Sequence, residues 1–120
     1  MRVLLIDDEE ELVATLAERL SFRDIDADWV TNGHDALKKL YNAAYDVAVV
    51  DVKMPGISGI ELKRMMAAKY PKMRFVFVTG HGSEEDFKEG SEEVGGAGFY
   101  LVKPVEIEEL ITKLDEIAKQ

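Results

Sequence analysis

The sequence predicts an α/β fold: one parallel sheet of five strands with helices on both faces. Two observations predict it. Short strand-like runs recur along the chain at 3–6 (VLLI), 25–30, 47–50 (VAVV), 75–78 (FVFV) and 99–102 (FYLV), alternating with segments of helical periodicity. Four of these runs also stop at a residue able to do chemistry: Asp7-Asp8, Asp51, Thr79 and Lys103. Strand–helix repeats of this length imply right-handed crossovers and a sheet covered on both faces. Such a sheet binds ligands beyond the carboxyl ends of its strands, where all of these residues fall.

The elements follow in order. Val3–Ile6 reads as a strand, and Leu12, Val13, Leu16, Ala17 and Leu20 then share one helical face. Ile25, Ala27 and Trp29 alternate with Asp26, Asp28 and Val30, which predicts a half-exposed strand at a sheet edge. Thr31-Asn32-Gly33 is turn chemistry, followed by Ala36, Leu37, Leu40 and Tyr41 at helical spacing. Val47–Val50 is apolar throughout, as a strand buried on both faces must be. After Met54-Pro55-Gly56, a third helix takes Ile57, Ile60, Met65 and Met66 and stops near Tyr70-Pro71. Phe75–Val78 and Phe99–Val102 supply the last two strands. Ile107, Leu110, Ile111, Leu114 and Ile117 give the last helix its stripe. Between those strands, 83–94 offers only Phe87 and Val94 as large apolar anchors among six acids. A fourth helix there is expected to grip the core weakly.

With 120 residues the chain is read as one domain, 1–120. The net charge of −9 argues against direct nucleic-acid binding, because a phosphate-backbone reader needs a basic face. It equally disfavours an anionic membrane surface. The absence of cysteine excludes disulfides and thiolate chemistry. No run reaches membrane-spanning length, so the expected location is cytoplasmic.

Asp7-Asp8 following a strand can either cap the next helix or bind a metal. Glu9 and Glu10 read as first-turn acids of that helix. Asp51, at the mouth of a buried strand, is more specific. Beside Asp7 and Asp8 it would complete a group of three repelling carboxylates, whose pKa values should rise. A hard cation such as Mg²⁺ relieves that repulsion and would neutralise an incoming phosphoryl group. Asp51 could then act as a nucleophile, with the Thr79 hydroxyl and the Lys103 ammonium holding phosphoryl oxygens.

In this combination the chain resembles the receiver domains of two-component response regulators. The resemblance rests on LLIDDE (4–9), VVDVKMPGISG (49–59), VTGHG (78–82) and YLVKP (100–104), in the family's order and over essentially the whole chain. It implies a flavodoxin-like, doubly wound (βα)5 fold with strand order 2-1-3-4-5. It implies that Asp51 is the phosphoacceptor, served by a histidine kinase or histidine phosphotransfer protein. Mg²⁺ (or Mn²⁺) would be held by Asp7, Asp8, Asp51 and the Lys53 backbone carbonyl. Thr79 would be the switch hydroxyl, Lys103 the phosphate-binding amine, and Tyr100 the aromatic that follows phosphorylation. The Lys103–Pro104 bond would be cis. The resemblance also implies that Lys53 and His81 would hold the positions that flank the attacking water and tune hydrolysis. The switched surface would comprise the fourth helix, the fifth strand and the last helix, serving an output domain, an effector protein or a homodimer partner. The Thr79–Lys103 interval is about two residues longer than the family's usual one.

Two other classes fit less well. A haloacid-dehalogenase-type phosphatase wants a second acid two residues after its nucleophile, where this chain has Lys53. A flavin-binding module wants a hydroxyl- and glycine-rich loop after the first strand, where this chain has five consecutive acids, Asp7 to Glu11.

Overall fold

Five parallel strands form the sheet in the order β2-β1-β3-β4-β5. They are β1 (Arg2–Ile6), β2 (Asp26–Val30), β3 (Val47–Asp51), β4 (Arg74–Thr79) and β5 (Tyr100–Val102). Among the described residues the helices are α1 (Glu10–Ser21), α2 (Gly33–Asn42), α3 (Gly59–Lys69) and α4 (Ile107–Ala118). The computed structural model describes residues 1–80 and 100–119. The expected fourth helix over 83–94, the glycines before the fifth strand and His81 lie outside the described residues.

Side chains alternate across a strand, so each central strand feeds two cores. Leu4, Ile6, Ala48, Val50 and Phe77 point to one face, where Ala36, Leu40, Leu62 and Met66 of α2 and α3 cover them. Val3, Leu5, Val47, Val49, Val76 and Val78 point to the other, under Val13, Leu16 and Leu20 of α1 and Leu110, Leu114 and Ile117 of α4. β3 is buried at every position, which explains its unbroken apolar run. Each buried Val, Leu, Ile, Phe or Met side chain among these contributes about 1.5–3 kcal/mol.

β2 is an outer strand of the sheet, and its outward-facing acids blunt that edge. Arg2 of the neighbouring strand pairs with Asp26 at 3.3 Å and Asp28 at 3.5 Å. Two helices begin with side-chain caps. Asn32 accepts from the Asp35 N–H at 2.8 Å, and Ser58 accepts from the Glu61 N–H at 3.2 Å.

Two side chains expected in helical stripes face outward instead. Tyr41 and Met65 are exposed. In α2 the buried positions are Gly33, Ala36 and Leu40, and in α3 they are Gly59, Leu62 and Met66. Tyr41, 100° beyond Leu40, and Met65, 100° before Met66, fall outside the buried stripe. The Lys69 ammonium lies 4.4 Å from the Tyr41 ring centroid and covers part of that exposed face. None of the described helices is long and apolar enough to cross a membrane.

Candidate functional site

Register brings the acids together. Ile6 pairs with Val50, so the residues that follow, Asp7 and Asp51, leave adjacent strands side by side. Asp51 pairs in turn with Val78, and Thr79 with Val102. Asp7, Asp51, Thr79 and Lys103 therefore emerge at one edge, although they come from four different parts of the chain. Lys103 extends the β4–β5 ladder, its N–H donating to the Thr79 carbonyl at 2.8 Å.

One carboxylate oxygen from each of Asp7, Asp8 and Asp51 lies within 4.8 Å of the others. Asp7 and Asp51 are buried and Asp8 is exposed. The helix-capping alternative for the acid pair does not describe this geometry. The N-cap of α1 is Glu9, whose own side chain makes no cap bond. Asp7 Oδ1 accepts the Glu9 N–H at 2.9 Å, and Asp51 Oδ1 accepts the Lys53 N–H at 3.2 Å. These backbone donors fix both carboxylates and lay the Lys53 peptide against Asp51.

The Lys103 ammonium reaches three acids. Its Nζ is 2.7 Å from Glu9 Oε1, 3.1 Å from Asp7 Oδ2 and 3.4 Å from Asp51 Oδ2. The Lys103–Pro104 bond is cis. Thr79 is fully buried, and among the described residues its Oγ1 has no hydrogen-bond partner. A buried hydroxyl without a partner is uncommon and invites a functional explanation. Tyr100 opens β5 with an exposed side chain.

Burial is the largest influence on the acids. It pushes Asp51 up to about 6, with the Asp7 charge adding to the rise and Lys103 and the Lys53 N–H opposing it. Asp7 is raised too, by burial first, against the Glu9 N–H and Lys103. Burial would lower Lys103, but its bonds to Glu9 and Asp7 and the charge of Asp51 more than reverse this and hold it above the usual lysine range.

Three hard oxygen donors in one cluster fit a small divalent cation such as Mg²⁺. The cluster's negative charge, which Lys103 offsets in part, fits the same conclusion. Beside it stand the Lys103 ammonium and the Thr79 hydroxyl, which has no partner among the described residues.

Two residues at this edge were not legible in the sequence. Glu9, read there as a first-turn acid, turns its carboxylate to Lys103 rather than to the helix. Gly59 is the other. A Cβ on it would stand 2.2 Å from the Asp51 carbonyl oxygen. Its N–H also donates to the Val52 carbonyl at 3.0 Å. Glycine at the first position of a helix, where it is a poor helix former, was the available signal.

The family described as the response regulator receiver domain matches residues 3–115. The chain belongs to that family. This receiver is 33% identical over 122 residues to the response regulator RppA of Synechocystis sp., covering all of this chain and 51% of that protein. It is 32% identical over 119 residues to the uncharacterized transcriptional regulatory protein YesN of Bacillus subtilis, covering 97% of this chain and 32% of that protein. The receiver thus spans about half or less of the length of these relatives. Among solved structures, the response regulator TrrA of Thermotoga maritima, in complex with Mg²⁺ and BeF, superposes with a TM-score of 0.81 at 31% identity, covering 97% of each chain. A response regulator receiver domain protein from Clostridium thermocellum superposes with a TM-score of 0.87 at 26% identity, covering 98% of this chain and 94% of that one.

Proposed function

We propose that this receiver is the phosphorylation switch of a two-component phosphorelay, with residues 1–120 as one unit and Asp51 as phosphoacceptor. The observation that carries the reading is the arrangement around Asp51. A buried carboxylate stands beside Asp7, both pair with the Lys103 ammonium, and one strand away is a buried hydroxyl without a partner among the described residues. The donor would be the phosphohistidine of a histidine kinase or histidine phosphotransfer protein in the cytoplasm.

An Asp51 oxygen attacks phosphorus, the P–N bond breaks, and imidazole leaves with the electron pair. At neutral pH Asp51 is ionised and ready to attack, since burial raises it only to about 6. Lys103 pairs with the charge gathering on the phosphoryl oxygens. Asp7, Asp8, Asp51 and the Lys53 backbone carbonyl would hold Mg²⁺ (or Mn²⁺), which supplies charge neutralisation for the phosphoryl group. Lys53 and His81 would set the hydrolysis rate by limiting access of water.

The added group brings nearly two negative charges. The Thr79 hydroxyl, without a partner among the described residues, donates to a phosphoryl oxygen, and Tyr100 moves into the space this leaves. The surface that β5 and α4 would share with segment 83–94 then shifts its population toward an active form. A shift from 1:99 to 99:1 needs about 5.5 kcal/mol of differential stability. The names of relatives such as YesN support an output domain that regulates transcription. An effector protein or a second copy would use the same surface. With a net charge of −9, the receiver itself is not the part that contacts nucleic acid.

The switching claim is tested by amide NMR of protein saturated with Mg²⁺ and BeF₃⁻. The expected result is large shifts at Thr79 and Tyr100 as well as around Asp51. Shifts confined to residues 7–8 and 51–53 would contradict it.

A further inference from the structure

We propose that Glu9 is a gate on Lys103, occupying the ammonium until a phosphoryl group displaces it. The inference deepens the receiver reading above and rests on it. Three observations carry it. The Glu9 pair is the closest of the three made by Lys103, 2.7 Å against 3.1 and 3.4 Å. The Glu9 side chain does nothing for its own helix, making no cap bond although its backbone is the N-cap. Its exposure also differs from that of the other partners. The Glu9 side chain is 61% exposed, whereas those of Asp7 and Asp51 are 6% exposed.

An ammonium has three hydrogens to donate and no more. In this structure three carboxylates surround it, so a phosphoryl oxygen gains Lys103 only when one of them lets go. Asp7 and Asp51 are buried and each is pinned by a backbone N–H. Glu9 has water to return to and, among the described residues, no other side-chain bond to break. It is therefore the partner that exchanges. Glu9 competes directly with the incoming anion and recaptures Lys103 when the anion leaves. It is a positioning residue, acting through Lys103 and not on phosphorus.

Removing the charge while keeping the shape should therefore tighten anion binding. Glu9→Gln is expected to raise BeF₃⁻ affinity at saturating Mg²⁺ about two- to fivefold, the scale of an ion pair with one exposed partner. Salt screens such a pair, so the gain should shrink as ionic strength rises. Glu10→Gln, one residue on and likewise acidic, is the control and should change little.

The test is ¹⁹F NMR titration of BeF₃⁻ into wild type, Glu9→Gln and Glu10→Gln at low and high salt. Acetic anhydride labelling of Lys103, read by mass spectrometry, accompanies it in the anion-free proteins. The gate predicts tighter BeF₃⁻ binding and faster Lys103 labelling in Glu9→Gln alone, with the affinity gain fading in salt. Equal or weaker BeF₃⁻ binding by Glu9→Gln beside a normal wild type would overturn the gate and leave the receiver reading intact. Wild-type protein that takes up no BeF₃⁻ at all would overturn the receiver reading and this role with it.

Discussion

The Lys103 ammonium lies 3.4 Å from Asp51 Oδ2, across 52 residues of sequence and with β4 standing between their strands. Both side chains reach over the end of β4 to meet. This contact places an ammonium against the proposed nucleophile. It also makes Lys103 a rival of any divalent cation for the same carboxylates. Lys103→Met is therefore expected to tighten Mg²⁺ binding several-fold while slowing phosphorylation at least about tenfold, since the amine's charge stabilisation is lost. Calorimetric Mg²⁺ titration and acetyl phosphate kinetics check the two directions independently. Weaker Mg²⁺ binding in the variant would contradict this placement of the lysine.

The raised Asp51 predicts a pH-dependent instability. Its carboxyl titrates at about 6 in the folded protein against 3.8 ordinarily. A folded-state value above the unfolded one means that folding favours the protonated acid. The associated stability is fully present below pH 3.8 and is lost as pH rises through 6. Asp51→Asn removes the penalty and is expected to stabilise the metal-free protein by on the order of 1 kcal/mol or more at pH 8. At pH 4 the gain should nearly vanish. Urea unfolding at the two pH values measures both.

Thr79 makes a parallel case. Its hydroxyl is buried and lacks a partner among the described residues. Thr79→Val keeps the shape and removes the unsatisfied group, so the unphosphorylated protein should gain about 1–2 kcal/mol. The same change should abolish the BeF₃⁻-induced shift at Tyr100 while leaving BeF₃⁻ bound. A variant less stable than wild type would show that the hydroxyl is already satisfied.

Gly59 carries a steric prediction. A methyl there meets the Asp51 carbonyl at 2.2 Å, and backbone cannot yield as a side chain can. Gly59→Ala is expected to cost about 2–3 kcal/mol and to weaken Mg²⁺ binding by displacing the β3–α3 connection. Loss of stability alone, with Mg²⁺ affinity unchanged, would mean that the strain is absorbed in α3.

These cases also show what the chain makes legible. The strands could be read because β3 and its neighbours are buried on both faces, which demands runs such as Val47–Val50. The edge could be read because parallel strands end together, so Asp7, Asp51, Thr79 and Lys103 announce themselves as the residues after apolar runs. The Glu9 contact could not. Its partner is 94 residues away, and in sequence Glu9 is one of five consecutive acids. Gly59 was hidden because a close backbone approach leaves no mark beyond the glycine itself. Tyr41 and Met65 were misplaced because helical spacing tolerates a stripe one residue wider than the core accepts.

The measurement that bears most directly on the central claim is intact mass after incubation with acetyl phosphate and Mg²⁺, beside Asp51→Asn and a chelator-treated sample. The account predicts one added phosphoryl group on the wild type and none in either control. An adduct that persists in Asp51→Asn, or a wild type left unmodified, would contradict it.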